Sequence, residues 1–186
     1  MDPNTGFFEV SKPRSELDAF QAASSRLLPP PDPCFLVDCM LGRLARWLRI
    51  LGYDTLYFRQ VSDRDLIAIH RSSGRTLLTR DTLLLRHEPG PHLFIKENHW
   101  KAQLVQVLFA LDLKIVAAKM FTRCLNCNRV LQPLAPAEVK GRVPEFVALT
   151  VREFRGCAFC KKVYWPGTHR DHIVGVVAGI IQKAKT

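Results

Sequence analysis

The residues with the clearest chemical assignment are four cysteines in two pairs, Cys124-Leu125-Asn126-Cys127 and Cys157-Ala158-Phe159-Cys160. A two-residue gap lets one tight turn aim both thiolates at a single ion, and two such turns complete a tetrahedron around zinc. Iron in the same thiolate site and a pair of redox dithiols are the competing readings. Four sulfurs leave no position for a substrate, so the expected Zn2+ is structural and holds together a unit too small for a core of its own. Cys34 and Cys39 belong to the first strand and helix and are expected to be buried apolar residues rather than ligands.

Four aspartates offer a different chemistry. Asp38 follows the apolar run Phe35-Leu36-Val37, Asp81 follows Leu77-Leu78-Thr79-Arg80, and Asp63 and Asp65 open a helical stretch between them. Carboxylates gathered at one edge repel each other unless a cation sits among them. A hard ion, Mg2+ or Mn2+, suits oxygen ligands and can activate water and stabilise charge on a phosphate during cleavage. Each of these aspartates is also a good helix N-cap, a role that needs no metal. Arg43, Arg46, Arg49, Arg80 and Lys96 are candidates for RNA phosphate contacts, with a solvated helix face as the alternative for any one of them. His169 and His172 lie just past the second cysteine pair, where a surface or interdomain hydrogen bond is the expected role.

These residues are useful only if the chain brings them together. Cys34–Val37, Thr55–Phe58, Thr76–Thr79 and His92–Ile95 read as short strands. Between them lie a helix over Met40–Leu51, a helix opened by the capping box Ser62 and Asp65, and a short helix from Asp81 through Leu85. A further helix, capped by Asn98, runs to Leu111. Gly52 and Gly74 are placed to end helices. In the first helix Leu41, Leu44, Ala45, Leu48 and Leu51 form the apolar face, and Arg43, Arg46 and Arg49 are expected on the other. Trp47 borders that face and is expected in the core. Strand–helix alternation with short links calls for a parallel sheet with helices on both faces, whose functional edge is the carboxyl end of the strands.

The remaining divisions follow from composition. Residues 1–33 read as a flexible leader, with a short helix at Gln21–Leu28 and an extended end at Pro29-Pro30-Pro31-Asp32-Pro33. Residues 34–119 form the α/β unit. Residues 120–186 hold the cysteine pairs and an apolar closing helix. Twenty-seven Lys and Arg against 17 Asp and Glu give a formal charge of +10, which favours a polyanionic partner such as nucleic acid. The longest apolar stretch, Ile173–Ile181, is about half what a bilayer needs. The opening Met1-Asp2-Pro3-Asn4 lacks the basic start and apolar core of a secretory signal, so a cytoplasmic location with reduced cysteines is expected.

The segment from Phe35 to Thr55, Phe35-Leu36-Val37-Asp38-Cys39-Met40-Leu41-Gly42-Arg43-Leu44-Ala45-Arg46-Trp47-Leu48-Arg49-Ile50-Leu51-Gly52-Tyr53-Asp54-Thr55, resembles the opening block of the mut-7 C-terminal RNase domains. Leu78-Thr79-Arg80-Asp81 resembles their second block. Arg123-Cys124-Leu125-Asn126-Cys127, and Cys157 to Cys160 through Tyr164-Trp165-Pro166-Gly167-Thr168-His169, resemble their zinc ribbon. The resemblance implies a PIN-like fold, a three-layer parallel sheet with helices on both faces, followed by the four-cysteine zinc ribbon. It also implies cleavage of RNA with divalent metal held by acids at strand ends. Asp38 and Asp81 match the first and third acidic positions, and one of Asp63 and Asp65 matches the second. The fourth position, after the last strand, has no clean match: Glu97 is the nearest acid and Asn98 can occupy the place.

Three readings result. The first is a metal-dependent ribonuclease using Asp38, Asp63, Asp65 and Asp81 on RNA, single-stranded by preference. The second is a non-catalytic module that grips RNA or a ribosome through its basic surface and ribbon. The third is an adaptor docking through the tail helix, a reading that burial of Ile173, Val176, Val177 and Ile180 removes.

Overall fold

The computed structural model describes residues 32–86 and 90–183. The expected leader, apart from Asp32 and Pro33, and its short helix lie outside the described residues. Four strands, β1 (Cys34–Val37), β2 (Asp54–Tyr57), β3 (Thr76–Thr79) and β4 (His92–Phe94), form one sheet in the order β2-β1-β3-β4, and every pairing is parallel. Between and after them run α1 (Gly42–Ile50), α2 (Asp63–Ser73), the short α3 (Thr82–Leu85) and α4 (Trp100–Ala110).

The alternation of side chains along the strands explains the layers. Phe35, Val37 and Leu78 face Leu44, Leu48, Leu104 and Val107 of α1 and α4, whereas Leu36 and Leu77 face Leu66, Ile69 and Leu84 on the opposite side. A strand buried on both faces has no polar side to distinguish, so β1 reads as a continuous apolar run. Each such Leu or Phe contributes about 1.5–3 kcal/mol on burial. The sheet is therefore fixed in register by two cores at once.

Helix ends follow local chemistry. The Ser62 hydroxyl accepts the Asp65 amide at 3.2 Å and opens α2, and Gly74 closes it at φ 62°. Gly52 takes φ 94°, and an added Cβ there would lie 2.2 Å from the Lys119 carbonyl, so only glycine permits this return of the chain. The second strand lies one residue earlier than expected and the fourth ends one residue sooner, and two helix starts differ as well. Cys39–Leu41 form a 3-10 turn before α1, and His99, not Asn98, caps α4 by accepting the Lys101 amide at 3.3 Å.

Past Ala117–Lys119 a second sheet forms from β5 (Gln132–Leu134), β6 (Phe154–Gly156) and β7 (Val163–Tyr164), antiparallel in the order β5-β6-β7. A short helix, α5 (Glu145–Thr150), lies between β5 and β6, and the chain closes with α6 (Thr168–Lys183). Val177 and Ile180 of α6 are buried in the core that covers the α1–α4 side of the parallel sheet, with Ile173 and Val176 packed against it. That burial removes the tail-helix adaptor reading. Among the described residues no helix is long and apolar enough to cross a membrane.

Candidate functional site

The four cysteines converge. Their sulfurs lie within 4.8 Å of one another, the one group of three or more such ligands among the described residues. Sγ of Cys124 is 3.4 Å from that of Cys160, and Sγ of Cys127 is 3.3 Å from that of Cys157. A tetrahedron with Zn–S near 2.3 Å has edges of about 3.8 Å, so these two pairs sit slightly inside the spacing zinc imposes. All four are free cysteines. The Tyr164 hydroxyl lies 3.2 Å from Cys124 Sγ and accepts the Leu125 amide, which fixes the first turn. A hydrogen bond from Cys127, opposed by burial and aided by Tyr164, draws the pKa of the Cys124 thiol well below its ordinary value. The donor set fits a closed Zn2+ site: four soft sulfurs, two of them buried, and no open coordination position.

This centre is joined to the parallel sheet through side chains whose role spacing did not reveal. Arg49 is 3 % exposed. Its Nε donates to the Thr55 carbonyl at 2.9 Å, and Nη1 donates to the carbonyls of Leu125 and Asn126, each at 3.0 Å. Arg49 therefore corrects the expectation of an RNA contact: it lies on the buried side of α1, with its charge inside the protein. Burial lowers its pKa to about 10, the thiolates of Cys124 and Cys127 opposing the fall, so the guanidinium remains charged at neutral pH. Asp54 bonds Arg75 and Asn128 at 2.7 Å each and lies 3.5 Å from Arg123. Burial pushes the Asp54 carboxyl up, but the Arg75 hydrogen bond and charge, Arg123 and Asn128 together hold it below the usual carboxylate range.

The second region is the carboxyl end of the parallel sheet. The β1–β3 ladder continues to the Asp38 amide, which donates to the Leu78 carbonyl at 3.0 Å. Asp38 is 6 % exposed, and no Lys, Arg or His among the described residues forms an ion pair with it. Its Oδ2 accepts the Thr79 hydroxyl at 2.6 Å, and the same Thr79 oxygen accepts the Asp81 amide at 2.9 Å. One buried hydroxyl thus bridges the ends of β1 and β3. Asp81 also caps α3, its Oδ1 accepting the Leu83 amide at 2.7 Å.

The two aspartates of α2 differ. Asp65 is held within its capping box, accepting the Ser62 hydroxyl at 2.8 Å, whereas Asp63 is exposed and its side chain has no hydrogen bond or ion pair among the described residues. Asp63 contributes to the raised pKa of the Cys39 thiol, after partial burial and the hydrogen bond and charge of Asp38. Cys39 itself is exposed, contrary to the expectation of burial; Cys34 is buried. No three of these carboxylates reach the mutual spacing of the thiolates.

The rim beyond β4 is built from amides. Gln106 donates to the Phe94 carbonyl at 2.7 Å and accepts the Lys96 amide at 3.0 Å, and Gln103 donates to the carbonyls of Glu97 and Asn98. Arg80 is half-buried and donates to the Asn98 side chain at 2.6 Å, so it braces β3 against the post-β4 loop. Arg43, Arg46 and Lys96 are exposed, as are Glu97, His169 and His172. Trp47 packs on the core and stacks on Trp100 with centroids 4.6 Å apart. Of the bracing residues, Thr79 lies within Leu78-Thr79-Arg80-Asp81, but nothing in the sequence marks its hydroxyl as a bridge. Gln103, Gln106 and Asn128 carry no spacing signal at all.

The family described as Mut7-C RNAse domain matches residues 33–177, a span that takes in both the rim and the four cysteines. No curated protein and no solved structure matches the chain.

Proposed function

Because the chain belongs to the Mut7-C RNAse domain family, we propose that it is a metal-dependent ribonuclease whose working edge is the carboxyl rim of the parallel sheet. One observation carries the reading: Asp38 is buried at that rim without a cationic partner among the described residues, and it shares the Thr79 hydroxyl with Asp81. An unpaired buried carboxylate is costly, and a hard cation is the partner that would offset the cost. Asp38 and Asp81 would hold Mg2+ or Mn2+ from two strand ends, with Asp63 as the free arm from α2. Asp65, already engaged by Ser62, is the weaker candidate. The ion, when bound, supplies Lewis acidity toward a phosphate and makes water more acidic.

The chain's own residues do the rest. Thr79 donates a hydrogen bond to Asp38 Oδ2 and would leave the other Asp38 oxygen to the ion. Arg43 and Arg46, exposed near the rim end of α1, and Lys96 after β4 would hold phosphates of a single RNA strand. Arg80, tied to Asn98, would fix the loop they flank. The zinc in this reading stays structural, and the free thiols it needs accord with a reducing, cytoplasmic setting.

The spread of the carboxylates favours a second reading, a non-catalytic RNA- or ribosome-binding protein, because rim acids that do not gather need no metal. Labelled single-stranded RNA, incubated with Mn2+ or with EDTA, separates the two. The nuclease reading expects cleavage that EDTA abolishes and that Asp38→Asn lowers by roughly 10²–10³-fold, with RNA binding kept. Binding without cleavage under Mn2+, or an Asp38→Asn variant that cuts as well as the parent, contradicts it.

A further inference from the structure

Arg49 presents an electrostatic problem that the nuclease reading does not use. A guanidinium almost wholly out of water is strongly destabilising unless opposite charge compensates it. Its three hydrogen-bond acceptors, the carbonyls of Thr55, Leu125 and Asn126, are neutral, and no carboxylate forms an ion pair with it among the described residues. The negative charge beside it is the cysteine cluster, since Leu125 and Asn126 are the two residues between Cys124 and Cys127. Four thiolates around one Zn2+ carry a net charge of −2. Zinc binding therefore completes the counter-charge for Arg49, and Arg49 in turn relieves the charge on the zinc centre while pinning both carbonyls of its first turn.

The same contact reaches the sheet. β2 is an edge strand, and the Thr55 amide donates outward to Asn128 Oδ1 at 3.0 Å. Asn128 directly follows Cys127, is 6 % exposed, and adopts φ 67° to make this bond. Arg123, just before Cys124, donates to the Gly52 carbonyl and to the Asn128 carbonyl, each at 3.0 Å. The first cysteine turn thus closes the open edge of β2 at its amino end. Arg49 holds both partners, the turn through Nη1 and β2 through Nε.

We propose that Arg49 is a positioning residue for the zinc ribbon, making zinc capture by the Cys124–Cys127 turn and the closing of the β2 edge one cooperative event. The inference rests on the zinc reading of the four cysteines and is independent of catalysis at the rim. It goes beyond a structural zinc that stabilises only its own ribbon, because loss of the metal would loosen the nuclease sheet at β2.

The test uses the full chain. Metal analysis first establishes zinc bound in the parent; a parent without it fails the zinc reading. Zn2+ affinity is then measured by competition with a chromophoric chelator for the parent, Arg49→Lys, Arg49→Met and the exposed control Arg64→Met. Residues that orient metal ligands are worth roughly 10–100-fold in affinity. Arg49→Met is expected to weaken zinc by that factor, Arg49→Lys to recover part of it, and Arg64→Met to stay within about 2-fold of the parent. In parallel, hydrogen exchange on the parent follows the Thr55 amide with zinc and after chelation, a reading that needs no variant to fold. Its protection should vanish with the metal. Zinc affinity of Arg49→Met equal to that of the parent, or a Thr55 amide that stays protected after zinc removal, overturns the proposal.

Discussion

The cysteine ribbon and the carboxyl rim are both built from acidic groups on separate segments, yet they are organised in opposite ways. In the ribbon the ligands converge, with sulfurs 3.3 and 3.4 Å apart, and their surroundings add a charged guanidinium and a tyrosine hydroxyl. At the rim the carboxylates remain spread, and three of the four have their own partners: Asp38 has Thr79 across the sheet, Asp81 has its own helix and Asp65 has Ser62. The ribbon meets the sheet at the amino end of β2, through Asp54 and Thr55, whereas the rim is at the opposite, carboxyl end. A metal that supports folding needs a finished cage. A metal that serves a reaction needs open positions and ligands free to complete the site with substrate. The comparison teaches that substitutions in the ribbon should change stability first, and substitutions at the rim should change chemistry first.

The largest effect that would break this division is at the ribbon. Cys157→Ser removes one ligand of the cage, and a thermal scan should show a midpoint lower by about 10 °C or more, at ~2–4 °C per kcal/mol for a chain of this size. A midpoint unchanged by this substitution would mean the cysteines hold no structural metal. Thr79→Val sharpens the other half. The shape is kept and the bridge between Asp38 and Asp81 is lost, so cleavage should fall roughly 10–100-fold while Mn2+ dependence remains. A variant that cut like the parent would show that the hydroxyl positions nothing.

Asp54 tests the join between the two regions. Its carboxyl is held below the usual range in the folded protein, so it contributes stability that is present above the unfolded value, about 3.9, and is lost as pH falls through the depressed folded value. Asp54→Asn should lower stability at neutral pH and flatten this acid-side decline, which denaturant melts from about pH 6 down to about pH 2 will report. Arg46→Gln should have the smallest effect. One phosphate contact fewer lowers the slope of log affinity against log salt by about 0.7 for a single strand, leaving the cleavage rate on bound RNA unchanged.

How much of this was legible in the sequence depended on whether one residue or several carried the signal. Cys-x-x-Cys pairs announce a metal because the turn that joins them is short and local. The strands were legible because β1 is buried along its length and reads as an unbroken apolar run, and β3 carries a Leu-Leu core between two threonines. Asp38 and Asp81 stood out because each follows shortly on one of those strands. Arg49 misled because helical periodicity places it beside Arg43 and Arg46 in a basic row. What reverses its role is a chain segment some 75 residues later that returns to cover the far end of α1, a long-range contact that periodicity cannot encode. Asn128 and Gln106 were hidden for the same reason. Each completes backbone hydrogen bonds of another segment, Asn128 that of Thr55 far back in the chain and Gln106 those of Phe94 and Lys96 before its own helix, and an uncharged amide gives no warning of it.

The central claim is that the rim, and not only the ribbon, holds a metal. An anomalous-difference map from crystals of the zinc-loaded protein soaked in Mn2+, collected where manganese scatters and zinc does not, tests this most directly. The account predicts a peak beside Asp38 and Asp81, near Asp63 and away from the cysteines. A map with no manganese peak at the carboxyl ends of β1 and β3 would contradict it.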